Sequence, residues 1–177
     1  MLELVFTRRF AMAHRLIHGS SEVCATPHGH NEEVKIYLKP MHPQSLDGKM
    51  NVVAPFHKAK GTWHRFIDNS VDHAFQLAEN DPLVDWFVQN EPRRLSKLLI
   101  TPGDPTTELL ACLFMSKLNN FLSAEQSGLY CEQIEILETP TNTVRFTGNP
   151  LEFIPNIRPP EQCWWQRADM SISDLKS

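Results

Sequence analysis

The stretch with the richest chemistry in this sequence runs from residue 24 to residue 30 and reads Cys-Ala-Thr-Pro-His-Gly-His. Because side chains alternate faces along a β-strand, the two imidazoles of a His-x-His pair point to the same side, where one metal ion can bind both. Pro27 keeps the chain that enters this strand extended. His28 and His30 are therefore candidate metal ligands, and Cys24 lies in the loop beside them.

A third imidazole, that of His14, ends an apolar run that begins at Phe10. If this run is the antiparallel neighbour of the strand that begins near His30, the three imidazoles can meet. Three neutral imidazoles that leave one coordination position open are typical of a catalytic zinc site. The alternative is that the His-x-His pair arose by chance, as so short a pattern often does. The sequence has no Cys-x-x-Cys pair, which excludes zinc fingers and zinc ribbons.

The composition favours a single folded domain in the cytoplasm. The chain has 177 residues, of which 41% are hydrophobic, and this length can bury a real core. The net charge is −4 and basic residues form no long run, so we expect no nucleic-acid partner. We also expect no membrane segment, since no apolar run approaches the roughly 18 residues of a spanning helix. Four widely spaced cysteines predict free thiols.

Hydrophobic periodicity predicts an α+β fold with the element order ββααββ. The expected architecture is a four-stranded antiparallel sheet with two main helices on one face. Alternating patterns predict strands over residues 2–14, 30–39, 134–138 and 143–146. Apolar positions three and four residues apart predict helices over 55–67 and from about 106 to 121. Between these helices, residues 82–91 predict an inserted helix and residues 98–100 a short apolar connector.

Two further segments need a structural explanation. Asp72 directly precedes His73, and adjacent residues on a helix do not face each other. Asp72 can therefore orient His73 only at a helix start or across a subunit interface. The C-terminal segment 151–177 contains several prolines and the pair Trp164-Trp165. Since it is too apolar for simple disorder, we expect a tail that packs on domain 1–150 or on a neighbouring subunit.

Taken in order along the chain, these motifs resemble one family. They are Phe10-Ala11-Met12-Ala13-His14, Cys24-x3-His28-Gly29-His30, Val71-Asp72-His73, Pro105-Thr106-Thr107-Glu108 and Glu138-Thr139. Over roughly residues 2–147, the series resembles the 6-pyruvoyl-tetrahydropterin synthase / 6-carboxy-5,6,7,8-tetrahydropterin synthase family of the T-fold class.

The resemblance implies a set of residue roles for a pterin triphosphate substrate, 7,8-dihydroneopterin triphosphate. It implies Zn²⁺ on His14, His28 and His30, and a catalytic Cys24. It further implies a proton relay of Asp72 and His73. A substrate site would comprise the pterin anchor Glu138 together with Thr106, Thr107 and Glu108.

The three-residue gap between Cys24 and His28 is similar to the carboxy-forming branch of the family, which works in queuosine biosynthesis. This predicts a zinc-dependent lyase that makes 6-carboxy-5,6,7,8-tetrahydropterin. A 6-pyruvoyl-tetrahydropterin synthase is one alternative. A non-catalytic pterin-binding paralogue is another, because Ala54-Pro55 and Leu109 depart from residues that are common in the family.

An open sheet also raises the question of assembly. Exposed edge strands invite association, and T-fold relatives join the sheets of several subunits into a barrel. We therefore expect a homohexamer of two stacked trimers, with the pterin pocket at subunit interfaces.

Overall fold

A six-stranded sheet with the strand order β4-β3-β1-β2-β5-β6 forms the centre of the molecule. The computed structural model describes residues 2–19, 21–155 and 158–175. The strands are β1 (Leu4–His14), β2 (His28–Pro40), β3 (Ala74–Ala78), β4 (Leu98–Thr101), β5 (Leu129–Thr139) and β6 (Asn142–Thr147).

The hairpin of β1 and β2 follows the predicted alternation of apolar and polar residues. Phe10 and Met12 of β1 and Val34 and Ile36 of β2 are buried on one face of the sheet, against the helices. The intervening side chains point to the other face, which is polar and more exposed. A one-residue slip of the pairing would expose this whole apolar set, so the pattern fixes the register.

The predicted α+β class is confirmed, but the predicted strand count was too low. Strands β3 and β4 extend the sheet beyond β1, and both run parallel to their neighbours. They occupy the segment after Asp72 and the predicted connector at residues 98–100. Parallel strands that are covered on both faces read as short continuous apolar runs, without the alternation that identifies a half-exposed strand.

The helices are α1 (Glu22–Ala25), α2 (Phe56–Phe66), which continues into a π-helical turn (Ile67–Val71), α3 (Pro82–Asn90) and α4 (Thr107–Ala124). The two main helices, α2 and α4, lie on one face of the sheet, as predicted. Helix α3 matches the predicted inserted helix and packs on the opposite face, where Val84 lies with Leu77 and Leu98. Helix α4 is buried on nearly all sides, because the sheet covers one side and the C-terminal segment covers another. Within the described ranges, no helix has the length and apolarity needed to cross a bilayer.

The described part of the C-terminal segment lies against the helices and the β4 edge. Trp164 and Trp165 are buried, and the Trp164 indole donates a hydrogen bond to the Ile100 carbonyl (2.7 Å). The Ile100 amide donates to the Ile172 carbonyl (3.0 Å), which occupies part of the edge of β4. Residues 156, 157, 176 and 177 of the predicted tail lie outside the described residues.

Candidate metal centre

Three imidazoles meet at the end of the β1–β2 pair where β1 ends and β2 begins. In the antiparallel register, His14 is opposite His28 and Met12 is opposite His30, so all three imidazoles occupy one face of the sheet. One ring nitrogen from each of His14, His28 and His30 lies within 4.8 Å of the others. The predicted pairing of the His14 strand with the His30 strand is therefore confirmed.

The hydrogen bonds around the rings test whether this cluster fits a metal ion. The His14 Nδ1 lies 3.0 Å from the Pro105 carbonyl oxygen, and the His28 Nδ1 lies 2.8 Å from the Thr26 carbonyl oxygen. A carbonyl only accepts, so each Nδ1 carries the proton and each Nε2 presents a lone pair.

The two Nε2 atoms face each other at 3.0 Å. Two lone pairs at this distance repel each other unless a cation lies between them. Two nitrogens on one tetrahedral zinc ion are roughly 3.3 Å apart, given Zn–N bonds of about 2.0–2.1 Å. The geometry and tautomers of this cluster fit a metal ion.

Burial also favours the neutral imidazole that a metal requires. His14 is 2% exposed, and this burial is the main reason why its pKa lies below the usual value. The neighbouring imidazoles His28 and His30 lower the pKa further, although the Pro105 carbonyl opposes the shift. A neutral His14 keeps its Nε2 lone pair available near neutral pH.

The imidazoles open onto a cavity of about 750 Å³ that is also lined by all four residues of the predicted substrate site. Cys24 lines this cavity from α1 but is not a member of the nitrogen cluster. Its position suits a group that acts on a molecule bound beside the imidazoles. The cavity is further lined by Thr106, Thr107, Glu108, Glu138 and the turn between β5 and β6.

Residues from the start of α4 and from strand β5 form the side of the cavity opposite the imidazoles, and a hydrogen bond links them. Thr106 caps α4, with its side chain accepting a hydrogen bond from the Leu109 amide (3.3 Å). The next hydroxyl, of Thr107, donates to Glu138 Oε1 (2.8 Å). This bond orients the carboxylate while its other oxygen makes no further hydrogen bond within the described chain. Glu138 can therefore accept from a ligand.

Asp72 and His73 do not line this cavity within one chain. They lie between the π-helical turn and β3, where the His73 amide donates to the Ala11 carbonyl (2.8 Å). The His73 side chain is 77% exposed. It has a left-handed backbone (φ +62°), and this conformation lets two adjacent side chains meet, with His73 Nδ1 2.7 Å from Asp72 Oδ2. Neither residue lies in the middle of a helix, which agrees with the condition predicted from the sequence for contact between adjacent side chains.

Sequence reasoning missed Glu32, which is buried on β2 beside the site. It is 1% exposed, and neither carboxylate oxygen has a hydrogen-bond partner among the residues that the structure describes. Burial, and secondarily the charge of Glu138, raises the pKa of Glu32 to about 8. The alternation that places Val34 and Ile36 on the buried face also places Glu32 there, so the sequence contained this signal.

The residues that line the cavity within the described ranges include no lysine or arginine. Five basic residues of the sequence are candidate cations for a triphosphate, and each has a carboxylate partner outside the cavity. They are Arg8, Arg9, Arg15, Lys35 and Arg145. Cations for a triphosphate are thus not gathered around the cavity of a single chain.

The fold and the site together define a T-fold protein, as predicted, in which three clustered imidazoles that could hold a metal ion open onto a polar cavity. The chain matches the family described as 6-pyruvoyl tetrahydropterin synthase over residues 3–149. It belongs to that family. A protein from Halobacterium salinarum named probable 6-carboxy-5,6,7,8-tetrahydropterin synthase is 30% identical over 135 residues, which cover 76% of this chain and 79% of that protein.

Solved structures agree on the fold. An uncharacterized protein from Wolinella succinogenes superposes with a TM-score of 0.68 at 20% identity, covering 84% of this chain and 98% of that one. The 6-pyruvoyl tetrahydropterin synthase of Caenorhabditis elegans gives a TM-score of 0.55 at 23% identity, covering 84% and 96%. The Plasmodium vivax synthase gives 0.59 at 19% identity, covering 84% and 98%.

Proposed function

We propose that this protein is a zinc-dependent lyase that converts 7,8-dihydroneopterin triphosphate to 6-carboxy-5,6,7,8-tetrahydropterin, within queuosine biosynthesis. The observation that carries the proposal is the cavity in which three convergent imidazoles lie together with the Cys24 thiol and the Glu138 carboxylate. Family membership and the name of the Halobacterium salinarum relative support the same activity.

The proposed cofactor is Zn²⁺ on His14, His28 and His30. Because three imidazoles carry no charge, a bound zinc keeps its full +2 charge and polarises the side-chain oxygens of the substrate. The carbonyls of Pro105 and Thr26 hold two of the rings in the tautomer that ligation needs.

Glu138 is the proposed anchor of the pterin ring. Its carboxylate offers two acceptor oxygens to the adjacent N–H donors of a pterin amide and amino group, a charge-assisted bidentate match. The Thr107 hydroxyl holds one of these oxygens in place (2.8 Å). Thr106 and Glu108, at the first turn of α4, complete the polar wall around the ligand.

Proton transfer is assigned to two groups. Cys24, as a thiolate, would remove a proton from the substrate side chain next to the metal. Asp72 orients His73, and the pair would move protons on the other side of the substrate. Since this pair lies outside the cavity of its own chain, we propose that a neighbouring subunit supplies it in a homohexamer of two stacked trimers.

The product of turnover tests this function. The zinc-loaded protein is incubated with 7,8-dihydroneopterin triphosphate, and the pterin product is identified by mass spectrometry. We expect the 6-carboxy product, and we expect His30→Ala to lose both zinc and activity while the exposed control His57→Ala keeps both. A 6-pyruvoyl product would instead indicate the pyruvoyl branch. Tight pterin binding without any product would indicate the non-catalytic paralogue.

A further inference from the structure

The Asp72–His73 pair is held in an uncommon backbone conformation. His73 is one of three residues other than glycine with a positive φ among those described, and this conformation costs about 1–2 kcal/mol for an ordinary residue. The Asp72 carboxylate makes two hydrogen bonds: its Oδ1 accepts from the Ala11 amide (2.8 Å), and its Oδ2 lies 2.7 Å from His73 Nδ1. Something must keep the peptide between Asp72 and His73 in the orientation that permits both contacts.

Lys97 contacts that peptide directly. Its ammonium donates hydrogen bonds to the carbonyl oxygens of Asn69 (2.9 Å) and Asp72 (2.8 Å). Both carbonyls lie at the C-terminal end of the π-helical turn, where backbone acceptors lack partners within the helix and a cation is favourable. The Asp72 carbonyl belongs to the peptide group between Asp72 and His73. The ammonium therefore fixes the orientation of this peptide group, and with it the backbone conformation at His73.

The position of Lys97 is itself well fixed. It ends the 3₁₀ turn Pro92–Lys97, between the buried side chains of Leu95 and Leu98. Strand β4 begins at the next residue and pairs in parallel with β3, with Leu98 opposite Phe75. This register places the backbone of Lys97 level with Ala74, one residue after His73.

The electrostatics agree with this geometry. Burial alone would raise the pKa of Asp72, but the hydrogen bonds from Ala11 and His73 and the nearby charges, including Lys97, bring it below its usual value. The carboxylate stays ionised and can hold the His73 imidazole.

We propose that Lys97 is a positioning residue for the proton relay: by binding the Asn69 and Asp72 carbonyls, it keeps His73 in the left-handed conformation that places its imidazole on the Asp72 carboxylate. The participation of this pair in turnover rests on the proposed function, whereas the hold of Lys97 on the pair does not. The inserted segment between α2 and α4 would thus have two functions: it extends the sheet through β4, and it supplies the lysine that positions His73.

The test compares three variants. Lys97→Met keeps the aliphatic stem and removes the ammonium, Lys97→Arg keeps a cationic donor, and Arg93→Met removes an exposed cation from the same turn. For Lys97→Met we expect kcat to fall by about 10²-fold, with KM and zinc content unchanged, because the relay is misplaced while the cavity is intact. Lys97→Arg should recover most of kcat, and Arg93→Met should behave as the wild type. If Lys97→Met does not fold, Lys97→Gln takes its place.

Crystal structures of the wild type and Lys97→Met provide a readout that does not depend on activity. We expect His73 to leave the left-handed region in the variant and its imidazole to separate from Asp72. An unchanged His73 with unchanged kcat would overturn the proposal, as would equal losses in Lys97→Met and Arg93→Met. If the wild type makes no pterin product, the proposed function fails, and the His73 conformation alone decides the role of Lys97.

Discussion

At the scale of single residues, the arrangement of the three-imidazole cluster depends on two backbone carbonyls as much as on the histidines themselves. The Pro105 and Thr26 carbonyls choose the tautomers of His14 and His28, and this choice directs both Nε2 lone pairs into the cluster. Cys24 lies outside the nitrogen cluster but inside the same cavity. We therefore expect the thiol and a bound metal ion to have separable roles.

Replacement of Cys24 tests that separation. We expect Cys24→Ala to keep its zinc content and its pterin affinity, and to lose about 10²- to 10⁴-fold in turnover, the usual contribution of a positioned base. Cys112→Ala, which removes a buried thiol from α4, is the matched control. Zinc is measured by elemental analysis and turnover by product formation. Loss of zinc from Cys24→Ala would make the thiol a fourth ligand of a closed site.

Glu32 has no evident catalytic role, and we expect the burial of its carboxyl group to lower the stability of the fold. Both oxygens are buried and find no hydrogen-bond partner in the described part of the chain, which costs about 1–3 kcal/mol for a polar group. We expect Glu32→Met, an apolar replacement of similar length, to raise the free energy of unfolding by that amount in urea denaturation. Glu33→Met, one residue along on the opposite face, should change it by about 0.5 kcal/mol or less. A clear loss of stability in Glu32→Met would mean that the carboxyl is hydrogen-bonded in solution.

At the scale of elements, the parts that sequence predicts best are those with a strong period. Alternation over β1 and β2 and the His-x-His spacing were enough to place His14, His28 and His30 together. Strands β3 and β4 carry no alternation, because both of their faces are covered. The left-handed turn at His73 was equally hidden, since histidine gives no sign of a positive φ.

Gly29 shows how closely the two ligand strands must approach. A Cβ at this position would lie 2.5 Å from the Met12 carbonyl oxygen, which is backbone and cannot rotate away. We expect Gly29→Ala to push β2 from β1 between the two histidines. The consequences would be a loss of about 1–3 kcal/mol in stability and at least a tenfold loss in zinc affinity.

Gly61→Ala provides the control, because this helical glycine on α2 has only the end of the Arg65 side chain near its missing Cβ (3.5 Å). It should gain up to about 1 kcal/mol from helix propensity and bind zinc normally. Competition with a chelating dye measures the zinc affinity, and urea denaturation measures the stability. Normal zinc affinity in Gly29→Ala would show that the hairpin can widen without moving its ligands.

At the scale of the whole molecule, the C-terminal segment closes the face of the helices that is turned away from the sheet. Lys117 on α4 is fully buried there, and its ammonium donates to the Trp164 carbonyl (2.8 Å) and to Asp169 (3.1 Å). The division into a catalytic domain of residues 1–150 and a tail of residues 151–177 stays a prediction. The hydrogen bonds of Lys117 link α4 of the first segment to Trp164 and Asp169 of the second, so we expect each segment to stabilise the other.

The titration of Lys117 should be visible in the stability of the protein. Burial, only partly offset by the hydrogen bond to Asp169, lowers its pKa from 10.5 to about 8. Between these two values the unfolded chain binds a proton that the folded chain has released, so this residue makes stability rise with pH in that window. Relative to Lys117→Met, the wild type should gain at most about 1.4 kcal/mol per pH unit from pH 8 to 10.

Urea denaturation at fixed protein and zinc concentrations measures this difference. Lys58→Met, which changes an exposed lysine of α2, controls for the general effect of removing a charge. A difference between wild type and Lys117→Met that is flat with pH would mean that Lys117 keeps its proton throughout, held by Asp169.

The last question at this scale is how Asp72 and His73 reach a cavity that they do not line in their own chain. Strand β6 is an edge strand with mostly exposed side chains, and the side chains of β1 that point away from α2 and α4 are partly or fully exposed. Both surfaces suit pairing with further copies of this chain. We therefore expect light scattering to give about 120 kDa, six chains of 20.3 kDa each.

Mixing two inactive variants tests whether the assembled chains share their sites. Cys24→Ala lacks the thiol and His73→Ala lacks the imidazole, so each oligomer alone should be inactive. In a co-expressed mixture, a site with the thiol from one chain and the imidazole from its neighbour is intact, and random assembly predicts about a quarter of wild-type activity. Isolated oligomers that contain both variants but regain no activity would place the whole relay within one chain, and a monomeric protein would remove the shared cavity altogether.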